Sequence, residues 1–294
     1  MRIATRGSVL ARWQAERVAQ LLGDDAELVI VETTGDRSPL PIHAMGGTGV
    51  FVREVQTAVL DGRADIAVHS AKDLPSTTTP GLTIGAVPER ADVRDALVGR
   101  ALADIPEGGR VATGAVRRRV QLAHVRPDLQ FFELRGNIGT RLDKAADFDA
   151  IVVAYAALDR LNRTDAAAEI LDFVPQVGQG ALAIECREDD AFTHERLARI
   201  DNPELHEALT TERAFLARVA EHDAADGARG CDLPCGAHRI GSELTMFLGT
   251  PDGAVTQRAT ITRVGSESAT EFGSRAAAEF LTRWDATLAS KGTS

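Results

Sequence analysis

Ala64-Asp65-Ile66-Ala67-Val68-His69-Ser70-Ala71-Lys72-Asp73-Leu74-Pro75 reads as a strand running into a charged turn, and much of it occurs twice. Asp65-Ile66-Ala67-Val68 through Leu74 returns at equal length as Asp149-Ala150-Ile151-Val152 through Leu158. Arg2-Ile3-Ala4-Thr5 has the same relation to Arg110-Val111-Ala112-Thr113, each placed before a helix pattern. The duplication implies two related α/β lobes facing one cleft. It breaks where Lys72-Asp73 become Ala156-Ala157, so the strand-to-loop framework does not require the charged pair.

The flanking segments extend this pattern. Ser8 stands as an N-cap before Leu10, Trp13, Val18 and Leu21, which share one face of an amphipathic helix. Leu28 to Thr33 is β-branched and reads as a buried strand. Gly46-Gly47-Thr48-Gly49 reads as a flexible loop, and helix spacing returns from Phe51 to Leu60. Strands alternating with helices imply a mostly parallel sheet, and a second such unit begins near Arg94. The character changes from about Pro203. A helix through Glu212-Arg213-Ala214-Phe215-Leu216 leads into a polar stretch from Glu221 to Gly230. Glu243 to Thr250 and Ala254 to Val264, joined by Pro251-Asp252-Gly253, read as a β-hairpin. Phe280, Leu281, Trp284 and Leu288 form the buried stripe of a final helix. The expected fold is α/β, two lobes plus a smaller C-terminal α+β domain.

At 294 residues the chain exceeds one ordinary core, in line with two or three domains. Lys and Arg number 33 against 43 Asp and Glu, a net charge of -10. That balance excludes non-specific nucleic-acid binding through a basic face, yet it allows a local basic pocket for an acidic small molecule. The first residues carry no signal-peptide core, and no apolar run is long enough to span a bilayer. Three cysteines fit a reducing cytoplasm with no disulfide framework. A cytoplasmic protein with neither nucleic acid nor membrane as partner is expected.

Arginine gathers in two places, Arg117-Arg118-Arg119 and the Arg135 to Arg141 segment around Gly136-Asn137. Both follow strand patterns, at the ends where α/β sheets place ligands. Guanidinium forks bind carboxylates bidentately, and helix N-termini after Thr5 and Thr113 add backbone donors. Arg117, Arg118, Arg135 and Arg141 read together as an anion pocket, and Arg119 as a solvated charge. Asp73 beside Lys72 is either a surface ion pair or a carboxylate that stabilises a developing cation or moves a proton. His69 reads as a packing or hydrogen-bonding residue near that strand end, and Cys186 as a core thiol. The glycine loop lacks the Lys-Ser/Thr ending of a P-loop, which argues against nucleotide binding. His222, Cys231, Cys235 and His238 allow a rival zinc reading, but their spacing matches no strong finger pattern; no metal is expected.

Taken in order, the motifs resemble the porphobilinogen deaminase (hydroxymethylbilane synthase) family over nearly the full length. They are Arg2-Ile3-Ala4-Thr5-Arg6-Gly7-Ser8 with Gln14, Ala64 to Pro75, Leu134-Arg135-Gly136-Asn137-Ile138-Gly139-Thr140-Arg141-Leu142, Val177-Gly178-Gln179-Gly180-Ala181, Ile184-Glu185-Cys186-Arg187 and Glu212-Arg213-Ala214. The resemblance implies lobes like type II solute-binding proteins. Residues 1–88 and 181–198 would form the first lobe, 93–174 the second, and 203–294 a domain carrying the cofactor cysteine. It implies a monomeric transferase of tetrapyrrole biosynthesis. Four porphobilinogen molecules are joined head to tail with loss of ammonia, and water releases linear hydroxymethylbilane. The primer is a dipyrromethane held by a thioether to Cys231.

By the same resemblance Asp73 and Lys72 are catalytic. Ser70, Lys72, Thr113, Arg117, Arg118, Asn137 and Arg141 would hold the cofactor, and Arg6, Ser8, Arg135 and Arg160 the substrate. Acetate and propionate groups on each pyrrole explain an arginine pocket in an acidic protein. The chain departs from the family where Gly114 and Ala115 replace two common serines, and where Ala44 and Thr48 replace lysines. The link from Glu212-Arg213-Ala214 to Cys231 is lengthened by Glu221 to Arg229, read as a solvated surface excursion. Cys235 replaces an apolar residue. Two other functions fit the architecture: a small-molecule binding protein, and a catalytically impaired paralogue.

Overall fold

The computed structural model describes residues 1–23, 26–33, 52–225 and 234–291. Its elements in chain order begin with β1 (Arg2–Arg6), α1 (Val9–Leu22), β2 (Glu27–Val31), α2 (Arg53–Leu60), β3 (Ile66–Ser70) and β4 (Leu82–Ala86). Then come β5 (Asp95–Gly99), β6 (Arg110–Ala112), α3 (Val116–Val125), β7 (Gln130–Phe132), α4 (Ile138–Asp143), β8 (Ala150–Ala154), α5 (Tyr155–Arg160) and β9 (Ala167–Leu171). The chain ends with β10 (Leu182–Arg187), α6 (Ala191–Ala198), α7 (Pro203–Ala225), β11 (Cys235–Ile240), β12 (Glu243–Gly249), β13 (Thr256–Thr262) and α8 (Ala269–Lys291). Two compact units result, Met1–Ala91 with Gly180–Leu209, and Asp92–Gln179 with Thr210–Ser294. Among the described residues no helix is long and apolar enough to cross a membrane.

The first unit is built on a sheet of order β2-β1-β3-β10-β4. β1 runs parallel to both neighbours, and β10 runs antiparallel to β3 and β4. Alternation along the strands divides the core in two. Ile3, Ile66 and Val68 pack with Ala15 and Val18 of α1, whereas Ala4 and Ala67 pack with Val55 and Val59 of α2. Each such buried Val, Leu or Ile contributes about 1.5–3 kcal/mol. The expectation of a buried strand at Leu28 to Thr33 needs correction. β2 is an edge strand with Ile30 48% exposed, because β-branched composition reports strand type and not its place in the sheet.

The second unit repeats the arrangement as β7-β6-β8-β5-β9, with β5 the reversed strand. The register agrees with the sequence echo residue by residue. Ile3 and Ala4 lie opposite Ile66 and Ala67, and Val111 and Ala112 lie opposite Ala150 and Ile151. The aspartates that open the echo act alike. Asp65 accepts from Arg2 N at 2.7 Å and its N–H donates to Arg2 O at 2.9 Å; Asp149 accepts from Arg110 N at 2.8 Å and its N–H donates to Arg110 O at 2.9 Å.

The same unit holds the antiparallel sheet β11-β12-β13, so the expected hairpin gains a third strand at its front. Phe215 of α7 meets Phe280 of α8 edge-on, ring centres 5.9 Å apart, above Leu244, Met246 and Ile261. The stripe foreseen for the last helix lies here, Phe280, Leu281 and Trp284 buried and Leu288 partly so. Gly273 lets α8 close on α7, since a Cβ there would sit 2.2 Å from the Thr211 carbonyl oxygen. The polar stretch expected from Glu221 is also corrected at its start. α7 continues to Ala225, carried by helix-forming Ala and Glu and by an Arg218–Glu221 pair one turn apart. Residues 226–230 lie outside the described residues.

Candidate active site

In the first unit the candidate residues sit where β1 and β3 end. Arg6 closes β1, and Ser8 caps α1, its Oγ accepting from Ala11 N at 3.3 Å. Ser70 closes β3 and its Oγ accepts from the buried Gln14 Nε2 at 2.7 Å. Ala71–Asp73 then form one 3-10 turn. Pro75 is the reason the turn stops there. A residue before proline is pushed out of the helical region, and Leu74 is extended with ψ 142. Leu74 is buried against Ala71 and Val87, so the turn is pinned from below while Asp73 is left exposed and Lys72 half-buried. His69, one residue before Ser70, is buried with Nε2 3.1 Å from Glu185 Oε2. Glu185 also accepts from Gln56 Nε2 at 2.8 and 3.1 Å.

In the second unit the arginines separate into two settings. Arg117 and Arg118, at the start of α3, are only 5% and 4% exposed. Arg117 donates to Asp95 Oδ2 at 2.7 Å and to Val174 O at 2.6 Å, and Arg118 donates to Asp95 Oδ1 at 2.9 Å. Burial alone would raise the Asp95 pKa, but the two guanidiniums and the Gln179 amide hold it well below the usual carboxylate range. The expected four-arginine pocket is therefore divided. Arg117 and Arg118 share a buried carboxylate, whereas Arg135, paired with Glu133, and Arg141, donating Nε to Gly136 O at 2.7 Å, belong to the half-open segment around α4. Arg119 is exposed and donates to Pro251 O at 2.7 Å.

Asn137 is exposed and caps α4, its Oδ1 accepting from Thr140 N at 3.0 Å. Thr113 is buried, and its Oγ1 accepts from Ala115 N at 3.3 Å. Gly114 is closed against the neighbouring segment, because a Cβ there would meet the Leu134 carbonyl oxygen at 2.6 Å. Arg160 is buried at the end of α5.

Cys231, Gly46 to Gly49, Ala44 and Thr48 lie outside the described residues. Of the other cysteines, Cys186 is buried in the core as expected, and burial pushes its thiol up to about 11. Cys235 is likewise buried, its thiol pushed up to about 12 by burial. Cys235 and His238 stand three residues apart on β11 and so point to opposite faces, while His222 pairs with Asp285 at 3.1 Å. Among the described residues no group of His, Cys, Asp or Glu is gathered to hold a metal ion; Cys231 of the zinc reading lies outside them. Asp95 carries no sequence signal, and the motifs that contain Gln179 and Glu212 do not reveal what these two side chains hold. The Gln179 amide donates to Asp95 Oδ1 at 2.8 Å, and buried Glu212 accepts from Gly178 N at 2.9 Å and Arg239 N at 3.0 Å.

Known proteins agree with the motifs. Residues 1–195 match the family model described as porphobilinogen deaminase, dipyromethane cofactor binding domain. A porphobilinogen deaminase of Acidothermus cellulolyticus is 43% identical, covering 96% of this chain and 88% of its own. One from Syntrophotalea carbinolica is 44% identical over 84% and 81%. One from Leifsonia xyli subsp. xyli is 41% identical over 98% and 94%. The chain belongs to the porphobilinogen deaminase family.

Proposed function

We propose that this chain condenses four porphobilinogen molecules head to tail, releasing ammonia at each addition and finally linear hydroxymethylbilane, from a dipyrromethane primer on Cys231. Beyond family membership, the observation that carries the reading is Asp73. It is an exposed carboxylate on a turn pinned by Leu74 and stopped by Pro75, in a framework whose second copy has alanines there. In this reading residues 1–88 with 181–198 carry Asp73, 93–174 the arginines, and 203–294 the cofactor cysteine.

The donor set fits a group bearing acetate and propionate chains. Exposed Asn137, half-buried Arg135 and Arg141, and half-buried Lys72 offer amide, guanidinium and ammonium donors. The dipyrromethane supplies, when bound, the free pyrrole carbon that acts as nucleophile. Ser70, Lys72, Thr113, Arg117, Arg118, Asn137 and Arg141 would hold it. Arg6, Ser8, Arg135 and Arg160 would neutralise and orient the carboxylates of the incoming substrate. Asp73 would stabilise the cation left on that substrate as ammonia departs, and Lys72 would assist. No serine or histidine triad is needed because the attacking atom is carbon. Asp73 requires no proton transfer to act as an electrostatic stabiliser.

The reading includes a monomer in the cytoplasm. Free, buried Cys186 and Cys235 suit a reducing compartment. The test is to incubate the purified protein with porphobilinogen and measure ammonia against hydroxymethylbilane. Four ammonia per hydroxymethylbilane is expected. Binding of porphobilinogen without ammonia release would replace the deaminase with a binding protein or an impaired paralogue.

A further inference from the structure

Asp95 is wholly buried at the first position of β5, between two guanidiniums that would otherwise repel each other. Its two oxygens are divided between Arg117 Nη2 at 2.7 Å and Arg118 Nε at 2.9 Å. Gln179 steadies it from the side, donating to Asp95 Oδ1 at 2.8 Å and to Val93 O at 2.7 Å. The far nitrogens end on backbone carbonyls, Arg117 Nη1 on Val174 O at 2.6 Å and Arg118 Nη1 on Val152 O at 3.3 Å. Backbone acceptors, one carboxylate and, for Arg118, the Gln179 Oε1 that accepts from its Nη2 at 3.4 Å therefore set the plane of the guanidiniums. A guanidinium carries five N–H donors, of which Asp95 and Val174 take one each from the Nη atoms of Arg117.

The same assembly reaches the root of the segment that bears Cys231. A Cβ on Gly236, at the second position of β11, would lie 2.4 Å from Pro175 O, 3.0 Å from Val174 O and 3.1 Å from Arg117 Cδ. Residues 174–179 are gripped a second time by Glu212, which ties Gly178 N to Arg239 N of the same strand. The strand that follows Cys231 and the arginine pair are thus fastened to one short piece of chain.

We propose that Asp95 is a positioning residue for cofactor capture, orienting Arg117 and Arg118 in fixed relation to β11 so that both guanidiniums are set before the dipyrromethane carboxylates arrive. This rests on the reading of Arg117 and Arg118 as cofactor ligands. It differs from a purely structural role in what it predicts. Loss of orientation weakens capture at low substrate more than it slows the saturated reaction, and does so in protein that is still folded.

The experiment prepares apo-protein without porphobilinogen, adds porphobilinogen at a series of concentrations, and follows cofactor loading by intact mass, with the melting temperature of each variant measured alongside. In Asp95→Asn the half-saturating concentration is expected to rise about tenfold, with a smaller fall in the plateau rate. Gln179→Ala keeps all three charges and guards against a variant that does not fold; its half-saturating concentration is expected to rise about threefold with little change in plateau. Wild-type concentration dependence in Gln179→Ala and in any folded Asp95→Asn overturns the proposal. Arg117→Lys separates the two ways of failing. If it too loads like wild type, the cofactor-ligand reading falls and takes this proposal with it. If it alone is impaired, only the role of Asp95 falls.

Discussion

The same end of the two five-stranded sheets carries opposite solutions to placing charge. In the first unit Ser70 of β3 lies opposite Leu182 of the reversed strand β10, an apolar core residue, and the charge sits beyond it on the Lys72-Asp73 turn, where Asp73 is exposed. In the second unit Ala154 of β8 lies opposite Asp95 of the reversed strand β5, so the carboxylate is inside and the turn beyond is Tyr155-Ala156-Ala157. The difference follows from single residues on a common frame. Pro75 stops the first turn after three residues and leaves Asp73 outside; with no proline after Leu158, the second runs on as α5 to Arg160. One copy presents a carboxylate outward, where it can meet a developing cation. The other spends its carboxylate on holding arginines.

Two substitutions probe that contrast from its two sides. Asp73→Ala removes the outward charge. Turnover is expected to fall by about 10²–10³-fold, the scale of losing one electrostatic stabiliser, with the melting temperature within about 2 °C of wild type because the side chain is exposed. Wild-type turnover in that variant would break the comparison. Asp95→Asn removes the inward charge and acts first on stability, at an expected cost of about 3–5 kcal/mol because two buried guanidiniums lose their counter-charge. The pH dependence carries a sign. A carboxylate whose folded pKa lies below its unfolded value of about 3.9 contributes fully above that value, and the contribution drains as pH falls towards the lower folded value. The gap in melting temperature between wild type and Asp95→Asn should hold steady from pH 7 to about pH 4 and narrow below. A gap that closes by pH 5 would assign the stabilisation to another group.

Much of this frame is legible in the sequence because it is local. The echo from Asp65 to Leu74 was readable as strand and turn, Ser8 as a cap, and Phe280 to Leu288 as a stripe, since each depends on neighbours within a turn or a strand. Asp95 is different. Its partners stand 22, 23 and 84 residues away, and nothing in the chain around Arg94-Asp95-Ala96 marks it as a hub. The arginines were visible, but their burial was not, because a run of guanidiniums looks the same whether it faces solvent or a carboxylate across the sheet. The edge position of β2 is illegible for a related reason: it belongs to the sheet, not to the strand. The residues from Glu221 to Ala225 extend α7 although they are largely polar, because polarity marks solvent exposure and not irregularity, and Ala and Glu among them are good helix formers.

The account turns on a covalent primer at Cys231, and the intact mass of the purified protein tests that most directly. Protein produced with ample porphobilinogen should exceed its sequence mass by one dipyrromethane, and Cys231→Ser should return it to the sequence mass. An unmodified wild-type mass under those conditions would contradict the account.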